Sequence, residues 1–200
     1  MCGIIVKEVI LVRIYTKPLE TQRLLLKRGT KEDYYKVYEY DFRKLRNINN
    51  EFEFVKQDLS KLDNWVLKSD NNEDMADWII YLRDMTPIGN ITADRIVQDI
   101  NAIEIAFNLH PNFWGQGYIK EACIEVMNYL FSLGFDNILC GYSEGNFKSK
   151  KVNEKIGFKY YLKKENAWCK DGIPITDYKT IMSKEDYKDM YLKNYDNKVR

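Results

Sequence analysis

Hydrophobic and polar positions alternate most cleanly over residues 102–109. Ile103, Ile105, Phe107 and Leu109 fall on one side; Ala102, Glu104, Ala106 and Asn108 fall on the other. A period of two predicts a strand with one buried face. The period then changes: Ile119, Ala122, Cys123, Val126, Met127 and Leu130 form one stripe at helical spacing, and Gly134 ends it. Upstream, 23–28 reads as a short strand, and Thr30-Lys31-Glu32-Asp33 resembles a capping box opening a helix to about Leu45. Phe52, Val55, Leu59 and Leu62 predict a second helix from about Asn50, and the polar run 68–74 a loop. The β-rich runs 78–83 and 88–96, parted by Asp84-Met85-Thr86-Pro87, predict a hairpin. A further strand is predicted at 138–142. A short helix starts at the N-cap Asn146 and stops at Gly157, and runs at 158–162 and 173–182 complete the sheet. The class is mixed α/β, in one domain without internal repeats.

The junction between strand and long helix reads Asn112-Phe113-Trp114-Gly115-Gln116-Gly117-Tyr118. Two glycines let the chain bend tightly and leave N–H groups unshielded by a β-carbon. At a helix N-terminus such groups favour an anion, so the junction predicts a phosphate or pyrophosphate cradle.

Composition narrows the partners. Thirty-one basic and thirty acidic side chains leave a net charge of +1, which argues against a dedicated nucleic-acid binder. Cys2, Cys123, Cys140 and Cys169 share no metal-site spacing and His110 is the one histidine, so neither a metal nor a disulfide scaffold is expected. Free thiols suit a reducing cytoplasm. The apolar run 2–15 is broken by Lys7, Glu8 and Arg13 and is too short to span a bilayer, so no membrane partner is expected. Residues 1–19 are expected to be an extension, either an extra strand or a disordered leader. The main domain is expected at 20–185 and a C-terminal tail at 186–200.

Few side chains carry candidate chemistry. Glu104 projects opposite the apolar row of its strand, where a carboxylate can take a proton from an amine; the plainer alternative is a solvated strand residue. Ser149, Val152, Asn153 and Ile156 share one helix face, so Ser149 and Asn153 face inward and need partners, a ligand or the preceding turn. Lys148, Lys150, Lys151 and Lys155 make that helix basic. Trp114 and Tyr118 are core anchors or cleft walls, and Cys123 and Cys140 read as core.

The run from Glu104 to Tyr118, followed by Glu121-Ala122, resembles the acetyl-CoA-binding motif of the GCN5-related N-acetyltransferases (GNAT). It is most similar to the branch of ribosomal-protein N-terminal acetyltransferases. Asn146-Phe147-Lys148-Ser149 with Glu154-Lys155-Ile156-Gly157-Phe158 resembles that branch's second signature. Thr21 to Leu26 and Asp177-Tyr178 resemble its opening and closing segments. The resemblance implies a mostly antiparallel mixed sheet whose central strands, 102–109 and 137–142, splay apart, flanked by about four helices. Acetyl-CoA would lie in the gap along Phe107, Asn108 and Leu109. Its pyrophosphate would meet N–H groups of Trp114, Gly115, Gln116, Gly117, Tyr118 and Ile119, and Asn146, Ser149 and Asn153 would face it from the helix. Glu104 is implied as base, Asp177 as second choice, and Ser149 as acid for the departing thiolate. An α-amine, with pKa about 8, gives up its proton more readily than lysine, about 10.4. Three positions depart from the pattern: Asn112 replaces Gln or Arg, Gln116 replaces Lys, and Asn153 stands where other branches have a tyrosine acid.

The implied activity is direct acetyl transfer to a primary amine, on a protein N-terminus or a small molecule, by an enzyme free to form a homodimer. The alternatives are a non-catalytic acyl-CoA sensor on the same fold and an RNA-associated protein using its Lys and Tyr content.

Overall fold

The computed structural model describes residues 13–45, 52–56, 74–95, 100–170 and 172–193. Its strands are β1 (Leu19–Glu20), β2 (Leu24–Lys27), β3 (Tyr40–Leu45), β4 (Phe52–Lys56), β5 (Met75–Leu82), β6 (Pro87–Arg95), β7 (Ala102–Leu109), β8 (Asn137–Ser143), β9 (Lys159–Lys170) and β10 (Ile173–Ser183). The helices are α1 (Lys31–Val37), α2 (Tyr118–Ser132), α3 (Phe147–Ile156) and α4 (Lys184–Tyr187), the last continued by a π-helical turn, Lys188–Leu192. Eight strands form one sheet in the order β1-β2-β5-β6-β7-β8-β10-β9, and β3 pairs with β4 in a separate two-stranded sheet.

Every pairing in the large sheet is antiparallel except β7 with β8. That parallel pair is short, running from Ala102↔Asn137 to Ile105↔Cys140. Beyond it, among the described residues, Ala106 to Leu109 pair only with β6, and Gly141 to Ser143 only with β10. The sheet therefore forks at its centre, as the resemblance implied.

Alternation along the strands sorts side chains into two clusters. Ile103, Ile105, Ile138 and Cys140 join Trp78, Ile80 and Ile91 under the α2 stripe, with Met127 and Leu130 fully buried. Truncating a residue such as Met127 to alanine costs about 2–5 kcal/mol. The opposite face carries a smaller cluster of Tyr34 and Val37 from α1 with Ile79 and Tyr81 from β5. Beside it the buried Asp77 carboxylate accepts the Tyr34 hydroxyl and the Asn90 amide (3.1 Å), with Arg28 at 3.6 Å. Burial first, and then the Asp77 charge, push the Tyr34 hydroxyl pKa far up, so it stays a proton donor.

Two predicted helices require correction. The capping box at Thr30 is present, but α1 ends at Val37 and residues 40–45 form β3. Residues 52–56 form β4, antiparallel to β3, rather than a helix. Tyr40, Phe42, Phe52, Phe54 and Val55 are residue types that favour strands, and pairing outweighed the loose helical spacing. The rest of the second predicted helix, 57–62, most of the predicted loop, 68–73, and residues 1–12 lie outside the described residues. Before β1, Ile14 is buried, Thr16 exchanges hydrogen bonds with the Asp77 backbone, and the Lys17 carbonyl accepts Trp78 Nε1 at 2.6 Å. At the other end Tyr187 is buried and donates to the Ile124 carbonyl at 3.1 Å. Among the described residues no helix is long and apolar enough to cross a membrane.

Candidate active site

The cradle begins where β7 runs out. Pro111–Phe113 makes a 3-10 turn, and Trp114 closes it by donating its backbone N–H to the Pro111 carbonyl at 3.1 Å. The Trp114 indole N–H bonds back to the Leu109 carbonyl at 2.7 Å, and the Lys148 ammonium lies 4.0 Å from its ring centroid. Gly115 and Gly117 then take φ of 78° and 80°, the left-handed region open to glycine. Gly117 is also the N-cap of α2, with no side chain capping the helix. Among the described residues, the N–H groups of Gly115, Gln116, Gly117, Tyr118, Ile119 and Lys120 make no hydrogen bond within the protein. The Trp114 N–H, which the resemblance gave to the pyrophosphate, is engaged in the turn instead.

Arg23 and Glu121, which sequence reasoning gave no role at this site, hold the cradle in place. In the first turn of α2, Glu121 accepts the Thr21 hydroxyl at 2.5 Å, the Arg23 backbone N–H at 3.0 Å and Arg23 Nε at 2.6 Å. Arg23 Nη2 also pairs with it at 2.6 Å. Burial pushes the Glu121 carboxyl upward, but the hydrogen bonds and charge from Thr21 and Arg23 outweigh it, and the net shift is down. The same guanidinium donates to the Gln116 carbonyl at 3.0 Å and lies 4.6 Å from the Tyr118 ring. Almost a hundred residues separate Arg23 from Glu121, so no local pattern could have linked them.

Glu104 stands at the fork on the α1 face of the sheet. Its carboxylate is ion-paired with Lys179, a partner the sequence reading did not include. Lys179 lies opposite Gly141, the first residue of β8 past the paired stretch. Two residues earlier on the same face of β10, Asp177 Oδ1 accepts the Ser143 hydroxyl at 2.6 Å and the Trp168 indole N–H at 3.1 Å. Oδ2 takes no hydrogen bond among the described residues, so Asp177 is fixed by one oxygen and presents the other.

On α3 the Asn146 side chain caps the helix by accepting the Ser149 N–H at 3.1 Å. The half-buried Ser149 hydroxyl makes no hydrogen bond among the described residues. Asn153 is placed differently from the expected ligand contact. It is 1% exposed, and its amide joins Thr180 Oγ1 (3.2 Å) and the Cys140 thiol (3.4 Å), tying α3 to β8 and β10. The Asn108 amide donates to the Val37 carbonyl at 3.3 Å, while Phe107 and Leu109 pack into the main core. Burial, and then the nearby Glu104 charge, push the Cys140 thiol up to about 12, so it stays protonated and is no nucleophile. Among the described residues no cluster of His, Cys, Asp or Glu could hold a metal ion.

Known proteins show the family to which this fold belongs. The family of acetyltransferase (GNAT) domains matches residues 23–159. The chain belongs to the GNAT acetyltransferase family. An uncharacterized N-acetyltransferase of Bacillus subtilis, YnaD, is 29% identical over 160 residues, covering 75% of this chain and 91% of that protein. Among solved structures, a GNAT-family acetyltransferase from Bacillus anthracis superposes with a TM-score of 0.69 at 20% identity. It covers 84% of this chain and 99% of its own. The microcin C7 self-immunity acetyltransferase MccE, solved with acetyl-CoA and AMP, gives a TM-score of 0.65 at 16% identity over 82% of this chain and 93% of its own. This GNAT domain is thus an acetyltransferase with the fold of its relatives.

Proposed function

We propose that this GNAT domain, within residues 20–185, transfers the acetyl group of acetyl-CoA directly to a primary amine. The acceptor is a protein N-terminal α-amine or a small-molecule amine. The observation that carries the reading is the run of N–H groups from Gly115 to Lys120, which have no partner among the described residues and lie beside the fork that holds Glu104. Those donors suit a diphosphate at a helix N-terminus, and the unpaired edges of β7 and β8 suit the amides of a pantetheine arm. Acetyl-CoA would supply an activated acyl group.

The remaining chemistry falls to the chain. Glu104, displaced from Lys179 by the incoming ammonium, accepts its proton; Asp177 Oδ2, facing the same side, is the second base. The Ser149 hydroxyl donates a proton to the departing thiolate. The buried thiols of Cys123 and Cys140 suit a reducing cytoplasm.

A thiol-release assay with acetyl-CoA across a panel of amines, with product masses, tests the proposal. Release with at least one amine, and a product heavier by one acetyl group, is expected. Binding of acetyl-CoA without release to any amine would replace it with a non-catalytic acyl-CoA sensor.

A further inference from the structure

We infer that Lys179 is itself an acetyl acceptor, so that without an external amine the domain acetylates its own Lys179 Nζ, with Glu104 as base. The inference rests on the reading that acetyl-CoA lies in the fork. Among the described lysines, Lys179 alone contacts Glu104. It reaches the fork because β10 sets it opposite Gly141, directly past the last β7–β8 pair, Ile105↔Cys140. A β-carbon at position 141 would lie 3.2 Å from Nζ and 3.3 Å from Cδ of Lys179, so the glycine makes room for this side chain. Side-chain exposure of 25% for Lys179 and 22% for Glu104 leaves both partly open to solvent.

A tethered amine beside its base has an effective concentration that no dissolved amine approaches. In the step, the Lys179 ammonium gives a proton to the Glu104 carboxylate. The freed lone pair forms the N–C bond to the thioester carbonyl carbon, and the C–S bond breaks with its electrons on sulfur. The nitrogen's second proton goes to the CoA thiolate through Ser149, and Glu104 releases the first to solvent. The products are acetyl-lysine, CoA thiol and one proton.

The test incubates the full chain with acetyl-CoA and no amine, follows intact mass, and maps the modified peptide, with acetyl-CoA binding measured by calorimetry in parallel. One acetyl group on the β10 peptide of the wild type is expected. It should be absent from Lys179→Arg and form about 10²-fold or more slowly in Glu104→Gln. Mapping the wild type locates the acetyl group even where a variant fails to fold. A chain that binds acetyl-CoA but stays unmodified, or carries the acetyl group elsewhere, overturns the inference alone. So does a heat-unfolded chain that labels Lys179 equally fast. A chain that does not bind acetyl-CoA overturns the underlying reading.

Discussion

Arg23→Ala separates holding the cradle from holding the fold. The substitution removes the guanidinium fork on Glu121, both arms at 2.6 Å, and the 3.0 Å bond to the Gln116 carbonyl. The Arg23 side chain is 44% exposed, so the ion pair contributes only about 1 kcal/mol to stability. Thr21 and the Arg23 backbone still anchor Glu121, and the melting temperature should fall by about 2–4 °C. The donor site should suffer more. With the Gln116 carbonyl released, Gly115 and Gln116 gain backbone freedom worth about 1–2 kcal/mol per residue, and binding must remove part of it. A net loss of about 1–2 kcal/mol weakens acetyl-CoA binding by about 5–30-fold. Calorimetry would compare acetyl-CoA with S-acetylpantetheine, which lacks the diphosphate; only the former should weaken. An acetyl-CoA affinity within about twofold of wild type, or equal losses for both ligands, would refute the reasoning.

Three further outcomes follow from the geometry. Glu104→Gln should lower kcat by about 10²–10⁴-fold while leaving acetyl-CoA affinity intact, and an unchanged kcat would pass the base role to Asp177. Because the Glu121 carboxyl is held below its ordinary 4.5, its contribution is complete above pH 4.5 and is lost as pH falls through the lower folded value. The melting-temperature gap between wild type and Glu121→Gln should therefore be constant near neutrality and shrink in acid; a gap that widens would contradict the assignment. Tyr34→Phe takes the hydroxyl from the buried Asp77 and leaves Asn90 and Arg28 as side-chain partners, so urea unfolding should show a loss of about 1–3 kcal/mol, and no loss would mean the contact is dispensable.

The parts legible in the sequence are those built from neighbours. The alternation around Glu104, the stripe of α2 and the glycines between them follow from one stretch of chain, and the structure keeps all three. The capping box at Thr30 is equally local and is present, but the end of α1 is not legible locally, because apolar spacing there fits two elements. Only the pairing of β3 with β4 decides between them. Asn153 shows the same limit: its position on the helix predicted an inward polar group, but not that Thr180 and Cys140 would satisfy it.

By itself, then, the sequence determined the glycine loop and the start of α2. The cradle depends on backbone conformation at Gly115 and Gly117 and on the helix start that follows, and both are set by adjacent residues. The tertiary structure decided the contacts at the fork and the clamp on the glycine loop. Strand register carries Lys179 to Glu104 and Asp177 to Ser143, and the β1–β2 turn brings Arg23 against Glu121. Those contacts join residues 34 to 98 positions apart. They exist only because hydrophobic burial under α2 and hydrogen bonding along the sheet align distant strands, which no local spacing encodes.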